Sequence, residues 1–391
     1  MGPESVKSQD TLPSDCEAKQ APAAAEPKLD RPEIDELNWV FFGPNGLRSG
    51  WSILLFGVLL YFLLDLFQVI LSFLVLDVAH LRVYGGTALN TILGEGKRVA
   101  ALFSAVLIVA AVERRRLTDY NLGRAKRAVF LFAGTASGFA AVSVLIGVLS
   151  EGGWLHFGPV ALAGHSILEY ALLWGIAFAL VGLFEEGAFR CYLLSTFERG
   201  VNFWWALAVV GGLCVYLIAS PETHGSWGVY IVALAGLFPC LFLQVSKSPR
   251  RGFWQAAWAT SAGFGFIHTY NNGENWMGIL AAATIGFVFC VSVRVTGSAW
   301  WAIGCHASWD WAESYFYGTA DSGFYARGHL LTSIPAGSAL WSGGAAGPEG
   351  SVLVFPTILL LLAAIVVVYR RRAAPATAAK PPAVTDSPFQ H

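Results

Sequence analysis

Apolar runs long enough to cross a lipid bilayer recur along most of this chain, and no other feature restricts its fold so strongly. A bilayer core about 30 Å thick takes about 20 residues of α-helix. By that measure the runs 51–76, 98–112, 128–149, 160–184, 203–219, 228–245, 254–270, 276–296, 298–317 and 352–369 are candidate spans. The second is short, and the first carries Asp65 in its middle. No strand-like alternation and no repeat of fixed short period competes with this pattern. The expected fold is all-α: a polytopic transmembrane helical bundle of about ten spans.

Charge supports the same reading. Only 13% of residues are charged, against about 25% in soluble domains. Of the 51 charges, residues 1–48 and 370–391 hold 19 and residues 113–127 hold eight. A soluble globular protein, a disordered chain and a nucleic-acid binder are excluded, the last for want of a basic surface. The cysteines Cys16, Cys191, Cys214, Cys240, Cys290 and Cys305 form no CxxC pair. All but Cys16 lie in or beside apolar runs, which argues against a disulfide or metal framework.

Lys and Arg in short loops set membrane orientation. The loop 113–127 is strongly basic, and alternate loops after it carry Arg190 and Arg199, then Lys247, Arg250 and Arg251, then Arg294, then Arg370, Arg371 and Arg372. The loops 150–159, 220–227 and 271–275 have no Lys or Arg, and 318–350 has only Arg327. Both termini are therefore expected in the cytoplasm. Arg82, Lys97 and Arg98 go against this pattern. The organisation expected is a disordered polar tail over 1–48, N-terminal transmembrane helices over 49–150 and a core over 151–320. An extracytoplasmic loop over 321–351, a last span over 352–369 and a basic disordered tail over 370–391 complete it.

Ionisable residues inside spans are costly and mark function by default. Three groups qualify. In Phe184-Glu185-Glu186-Gly187-Ala188-Phe189-Arg190, Glu186 and Arg190 are four apart and face each other on a helix, while Glu185 turns about 100° away. An amphipathic helix end meeting the headgroups would read the same way. In Phe264-Gly265-Phe266-Ile267-His268, the histidine follows the phenylalanine by one turn, as a packing histidine also would. In the third group His306 and Asp310 share a helix face that Glu313 continues, and these two could simply satisfy each other. A single polar site assembled from three helices explains all of them together. Asp65, Glu169, His156, His165, His224 and His329 are weaker candidates.

Glu185-Glu186-x-x-x-Arg190, Phe264-x-x-x-His268 and His306-x-x-x-Asp310, in this order, resemble the motifs of the CPBP (or ABI) family of intramembrane proteases, which includes the type II CAAX prenyl endopeptidases. The resemblance covers roughly residues 160–317, and Asp310 stands where Asn is commoner. It implies an endopeptidase acting on a membrane-associated protein or peptide. Glu185 and His268 would activate water, and His306 with the third-motif polar residue would stabilise the oxyanion. Arg190 would hold Glu186 ionised. An ionised Asp310 cannot donate to an oxyanion, so orienting His306 and helping to bind a cation are alternative roles for it. Family members are often labelled metalloproteases, and Glu and His also suit zinc. The chain has no His-Glu-x-x-His helix, and a metal-free glutamate mechanism suits the residues equally. The metal question stays open at this point.

Helix rise puts Glu185 roughly 20 Å from Arg199 and His268 roughly 25 Å from Arg251. His306 lies shallower, so a shared site needs tilted helices or a vestibule, expected on the cytoplasmic side. Two other functions remain in view: a proton-coupled transporter, and a non-catalytic immunity or binding protein of the same fold. The flavour of the resemblance points to a bacterial inner membrane.

Overall fold

The computed structural model describes residues 38–43, 46–78, 84–220, 226–245 and 250–370. Most of both expected tails, Cys16, Arg82, His224 and Lys247 lie outside the described residues. Eleven helices form the body: α1 (Ser49–Ser72), α2 (Ala88–Glu113), α3 (Arg127–Glu151), α4 (His165–Glu186), α5 (Phe203–Ala219), α6 (Trp227–Leu237), α7 (Pro239–Val245), α8 (Arg251–Ile267), α9 (Trp276–Thr296), α10 (Trp300–Asp310) and α11 (Val354–Arg370). One antiparallel strand pair, β1 (Leu155–Val160) with β2 (Leu331–Pro335), ties the α3–α4 connection to the segment after α10.

The described residues are all-α apart from short strand pairs, and each apolar run read from the sequence is mostly helix, although the run 160–184 turns helical only at His165. Five helical stretches are long and apolar enough to cross a membrane: Ser49–Val75, Arg127–Glu151, His165–Gly200, Trp227–Val245 and Trp276–Thr296. The second apolar run belongs to a longer helix than its sequence suggested. α2 begins at Ala88, where Thr87 caps it by accepting from Asn90 N. Lys97 and Arg98 thus lie within a helix, not in a loop, and line a polar cavity.

Small residues bring the central helices into backbone contact, the usual means of helix association in lipid. A Cβ on Gly134 of α3 would lie 2.1 Å from the Trp301 carbonyl oxygen, and one on Gly138 would lie 2.2 Å from that of Cys305. From the opposite side, a Cβ on Gly304 of α10 would lie 2.3 Å from the Leu131 oxygen. Gly182 lets α4 approach the same helix near Ile303 and Ala307. α10 is therefore clasped between α3 and α4. α9 ends at Gly297, whose φ of 73° makes the left-handed cap before the tight turn into α10. Asn275 starts α9 by accepting from Met277 N and Gly278 N at 2.8 and 3.1 Å.

At the end of the molecule that carries the basic loop, buried Glu113 gathers three helices. It pairs with Arg199 at 3.1 Å, accepts from Tyr120 at 3.0 Å and from Ser52, and meets Arg115 at 3.5 Å. This fixes the C-terminal ends of α2 and of the long α4 helix relative to α1.

Candidate active site

Both acidic motif helices leave α geometry at the site. α4 passes at Gly187 into a π-helical turn, Gly187–Leu193, before resuming as Leu194–Gly200. α10 does the same at Trp311–Phe316, immediately after Asp310. Such insertions recur at functional sites because they turn side chains out of the regular helical register.

Glu186 is the innermost carboxylate, with no exposed surface. Its Oε2 lies 3.2 Å from Arg190 Nε, and Arg190 Nη1 donates to its Oε1 at 3.3 Å. The guanidinium is fully buried among three aromatic rings, 4.1 Å from the centroid of Phe264, 5.4 Å from Phe289 and 5.7 Å from Phe189. Cation–π attraction supplements the single carboxylate there. Gly286 of α9 makes the space: a Cβ at that position would lie 2.5 Å from Arg190 Nη2.

Glu186 Oε1 also lies 2.8 Å from His306 Nδ1. A carboxylate held by arginine only accepts, so Nδ1 carries the proton and donates. The other ring nitrogen, Nε2, then faces Asp310 Oδ2 at 3.5 Å and Glu185 Oε2 at 3.8 Å. His306 is thus the hub that joins the first and third motifs. Phe289 stacks on its ring with centroids 5.8 Å apart.

The histidine of the second motif is set by its own helix. His268 Nδ1 lies 2.8 Å from the Phe264 carbonyl oxygen, which can only accept. Neutral His268 therefore keeps its proton on Nδ1 and presents Nε2 as a lone pair. Glu185, His268, His306 and Asp310 all line one cavity of about 520 Å³. Glu185 Oε2 is shielded from solvent and has no hydrogen-bond partner among the described residues.

The cavity lies toward one end of the helices. Its rim carries Asn90, Tyr270, Asn271, Asn272 and Gly323, from the start of α2 and the segments after α8 and α10. These lie at the opposite end from the basic 113–127 loop. The expectation of a cytoplasmic vestibule rested on depths counted from Arg199, Arg251 and the turn near Gly297. The polar segments 271–275 and 318–350 fold over the far end of the helices and line the opening there.

Sequence reasoning missed several cavity residues. Glu95 pairs with Arg98 at 2.7 Å, and both line the wall with Lys97. Their signal was the charged Glu95-Gly96-Lys97-Arg98 cluster abutting an apolar run. Asp321 and Glu349 line it too, from a segment read only as a loop. Burial, followed by the charges of Asp310 and Glu349, raises the Asp321 carboxyl well above its ordinary range. Burial also pushes neighbouring Glu274 up to about 7.

Among the described residues, the one set of three His, Cys, Asp or Glu ligand atoms lying within 4.8 Å of one another is Glu313, Asp321 and Glu349. Glu185, His268, His306 and Asp310 contribute no such set.

The long apolar helices and the water-accessible carboxylates and histidines among them define an integral membrane protein with a buried polar centre. Residues 237–312 match the family model of Rce1-like type II CAAX prenyl endopeptidases, a likeness that agrees with the resemblance read from the motifs. The matched segment carries the Phe264–His268 and His306–Asp310 motifs, and the Glu185–Arg190 motif precedes it. Comparison with curated proteins and with solved structures finds no match.

Proposed function

We propose that this protein is an intramembrane endopeptidase of the glutamate type, hydrolysing a peptide bond of a membrane-held protein or peptide. The observation that carries the reading is the convergence of Glu185, His268, His306 and Asp310 on one cavity within apolar helices. A water in that cavity meets two bases, the Glu185 carboxylate in its wall and the lone pair of His268 Nε2. Glu185 takes a proton from the water as the oxygen attacks the carbonyl carbon. The tetrahedral oxyanion is stabilised by His306, protonated at Nε2 and held in place through Nδ1 by Glu186. Collapse breaks the C–N bond, and the proton on Glu185 passes to the leaving amine. Asp310 orients His306 from the side opposite Glu186. No step uses a metal.

The distribution of Lys and Arg supports about ten spans with both termini cytoplasmic, and residues 151–320 as the catalytic core. In that orientation the cavity mouth faces away from the cytoplasm. The substrate is then presented from the outer side of the membrane, not as a cytoplasmic prenylated C-terminus.

The test is cleavage of a membrane-peptide library by purified protein in detergent, with Glu185→Ala beside wild type and EDTA in parallel. The account expects cleavage by wild type with and without EDTA, and none by the variant. Equal cleavage by both proteins would refute it.

A further inference from the structure

Beyond His306, three carboxylates meet with no positive charge among them. Glu313 lies in the π-helical turn after α10, Asp321 opens the following turn, and Glu349 lies in the 3-10 turn Pro348–Gly350 ahead of α11. One oxygen from each falls within 4.8 Å of the other two. Among the described residues, no lysine or arginine forms an ion pair with any of them.

Each carboxylate is steered by a neutral donor. Trp309 Nε1 donates to Glu313 Oε2 at 2.9 Å, Ser314 Oγ to Asp321 Oδ2 at 3.2 Å, and Ser322 Oγ to Glu349 Oε2 at 2.8 Å. One oxygen of each lies outside these bonds. For Glu313, which has no exposed surface, the remaining Oε1 is buried without any partner. A buried carboxylate keeps its charge only beside a cation, and otherwise takes a proton. Glu313 meets that choice beside two half-buried carboxylates.

The backbone holds the arrangement. Asp321 N donates to Phe324 O at 2.9 Å and Phe324 N returns to Asp321 O at 2.8 Å. The two residues between, Ser322 and Gly323, have φ of 43° and 83°, a tight turn that glycine adopts freely and serine does not. Asp321 and Glu349 also line the cavity, which gives an ion a way in.

We propose that Glu313, Asp321 and Glu349 bind a hard divalent cation, calcium, at the edge of the cavity that Asp321 and Glu349 share with His306. The donors are all oxygen, as calcium prefers, and backbone carbonyls and water complete its coordination. Ligands drawn from a helix end, a tight turn and a 3-10 turn suit the irregular geometry that calcium accepts and magnesium does not. The ion ties the segment after α10 and the start of α11 to α10, the helix that carries His306. This inference does not depend on the endopeptidase reading.

The test uses the full-length protein in detergent, stripped with EDTA and titrated with terbium, whose emission is sensitised by a nearby indole such as Trp309. Calcium should displace terbium better than magnesium, with a dissociation constant of about 10⁻⁴–10⁻³ M, as in extracellular calcium modules. The double variant Asp321→Asn/Glu349→Gln should lose the displaceable signal at least tenfold, and Glu185→Gln should keep it. Calcium should also raise the Tm of wild type but not of the double variant. Failure of calcium to displace terbium, or binding by the double variant equal to wild type, overturns the proposal in favour of protonated carboxylates. If the double variant does not fold, calorimetric titration of wild type with calcium decides alone.

Discussion

His306 Nδ1 donates to Glu186 Oε1 at 2.8 Å, joining two motif residues that lie 120 positions apart in the chain. This bond makes the second glutamate of the motif an organiser of the histidine and not a second base. Arg190 holds the same carboxylate, so Glu186 accepts from both sides.

Glu186→Gln should therefore damage activity without removing a reacting group. An amide turned to accept from Arg190 offers N–H where His306 Nδ1 needs an acceptor, and the ring loses its tautomer. Loss of such an orienting partner costs about 10–100-fold in activity. Leaving Arg190 buried without its counter-charge should destabilise the protein by about 3–5 kcal/mol. Thermal unfolding and peptide cleavage, measured on the same preparation, check both effects.

Asp310→Asn should be mild. Asp310 approaches His306 at 3.5 Å, and an asparagine keeps its size while adding an N–H that donates to an oxyanion. Cleavage should stay within about tenfold of wild type, while Asp310→Ala falls further. A larger loss in the asparagine variant than in the alanine variant would assign the aspartate a role that requires its charge.

Gly138→Ala should separate α3 from α10, because its Cβ would meet the Cys305 backbone oxygen at 2.2 Å and backbone cannot step aside. Overpacking of this kind costs about 1–3 kcal/mol, and it shifts the helix that carries His306. Gly147→Ala on the same helix is the control, since nothing lies within 4 Å of its added Cβ. Tm should fall for the first variant and hold for the second.

The side of the mouth is testable in intact cells. With Cys16 and Cys240 changed to serine, a cysteine placed at Asn271 should react with a membrane-impermeant maleimide added outside. One placed at Arg124 should react only after the membrane is opened. The reverse pattern would turn the cavity to the cytoplasm.

The helices and the three motifs were legible because both are written in local spacing. Apolar runs gave the helical stretches, and four-residue intervals gave Glu186 with Arg190 and His306 with Asp310. The bond between Glu186 and His306 was not legible, since it depends on the π-helical turn after Glu186 and on Gly134, Gly138 and Gly182 admitting α10. Lys97 and Arg98 read as outer-side charges and Glu95 was missed, because a cavity wall has no sequence period. Glu313 was noted on the His306 face, but its neighbours Asp321 and Glu349 come from turns beyond the helix. The cavity lining was not legible for the same reason: it includes irregular polar segments whose folding the helical rise does not describe.

The most direct measurement is the single-turnover rate of one cleaved membrane peptide in proteoliposomes, for wild type, Glu185→Gln and His268→Ala. If Glu185 is the general base and His268 its partner, the glutamine variant should slow by about 10²–10⁴-fold. The histidine variant should slow as well, with peptide binding retained in both. A Glu185→Gln protein that cleaves at the wild-type rate would contradict the account.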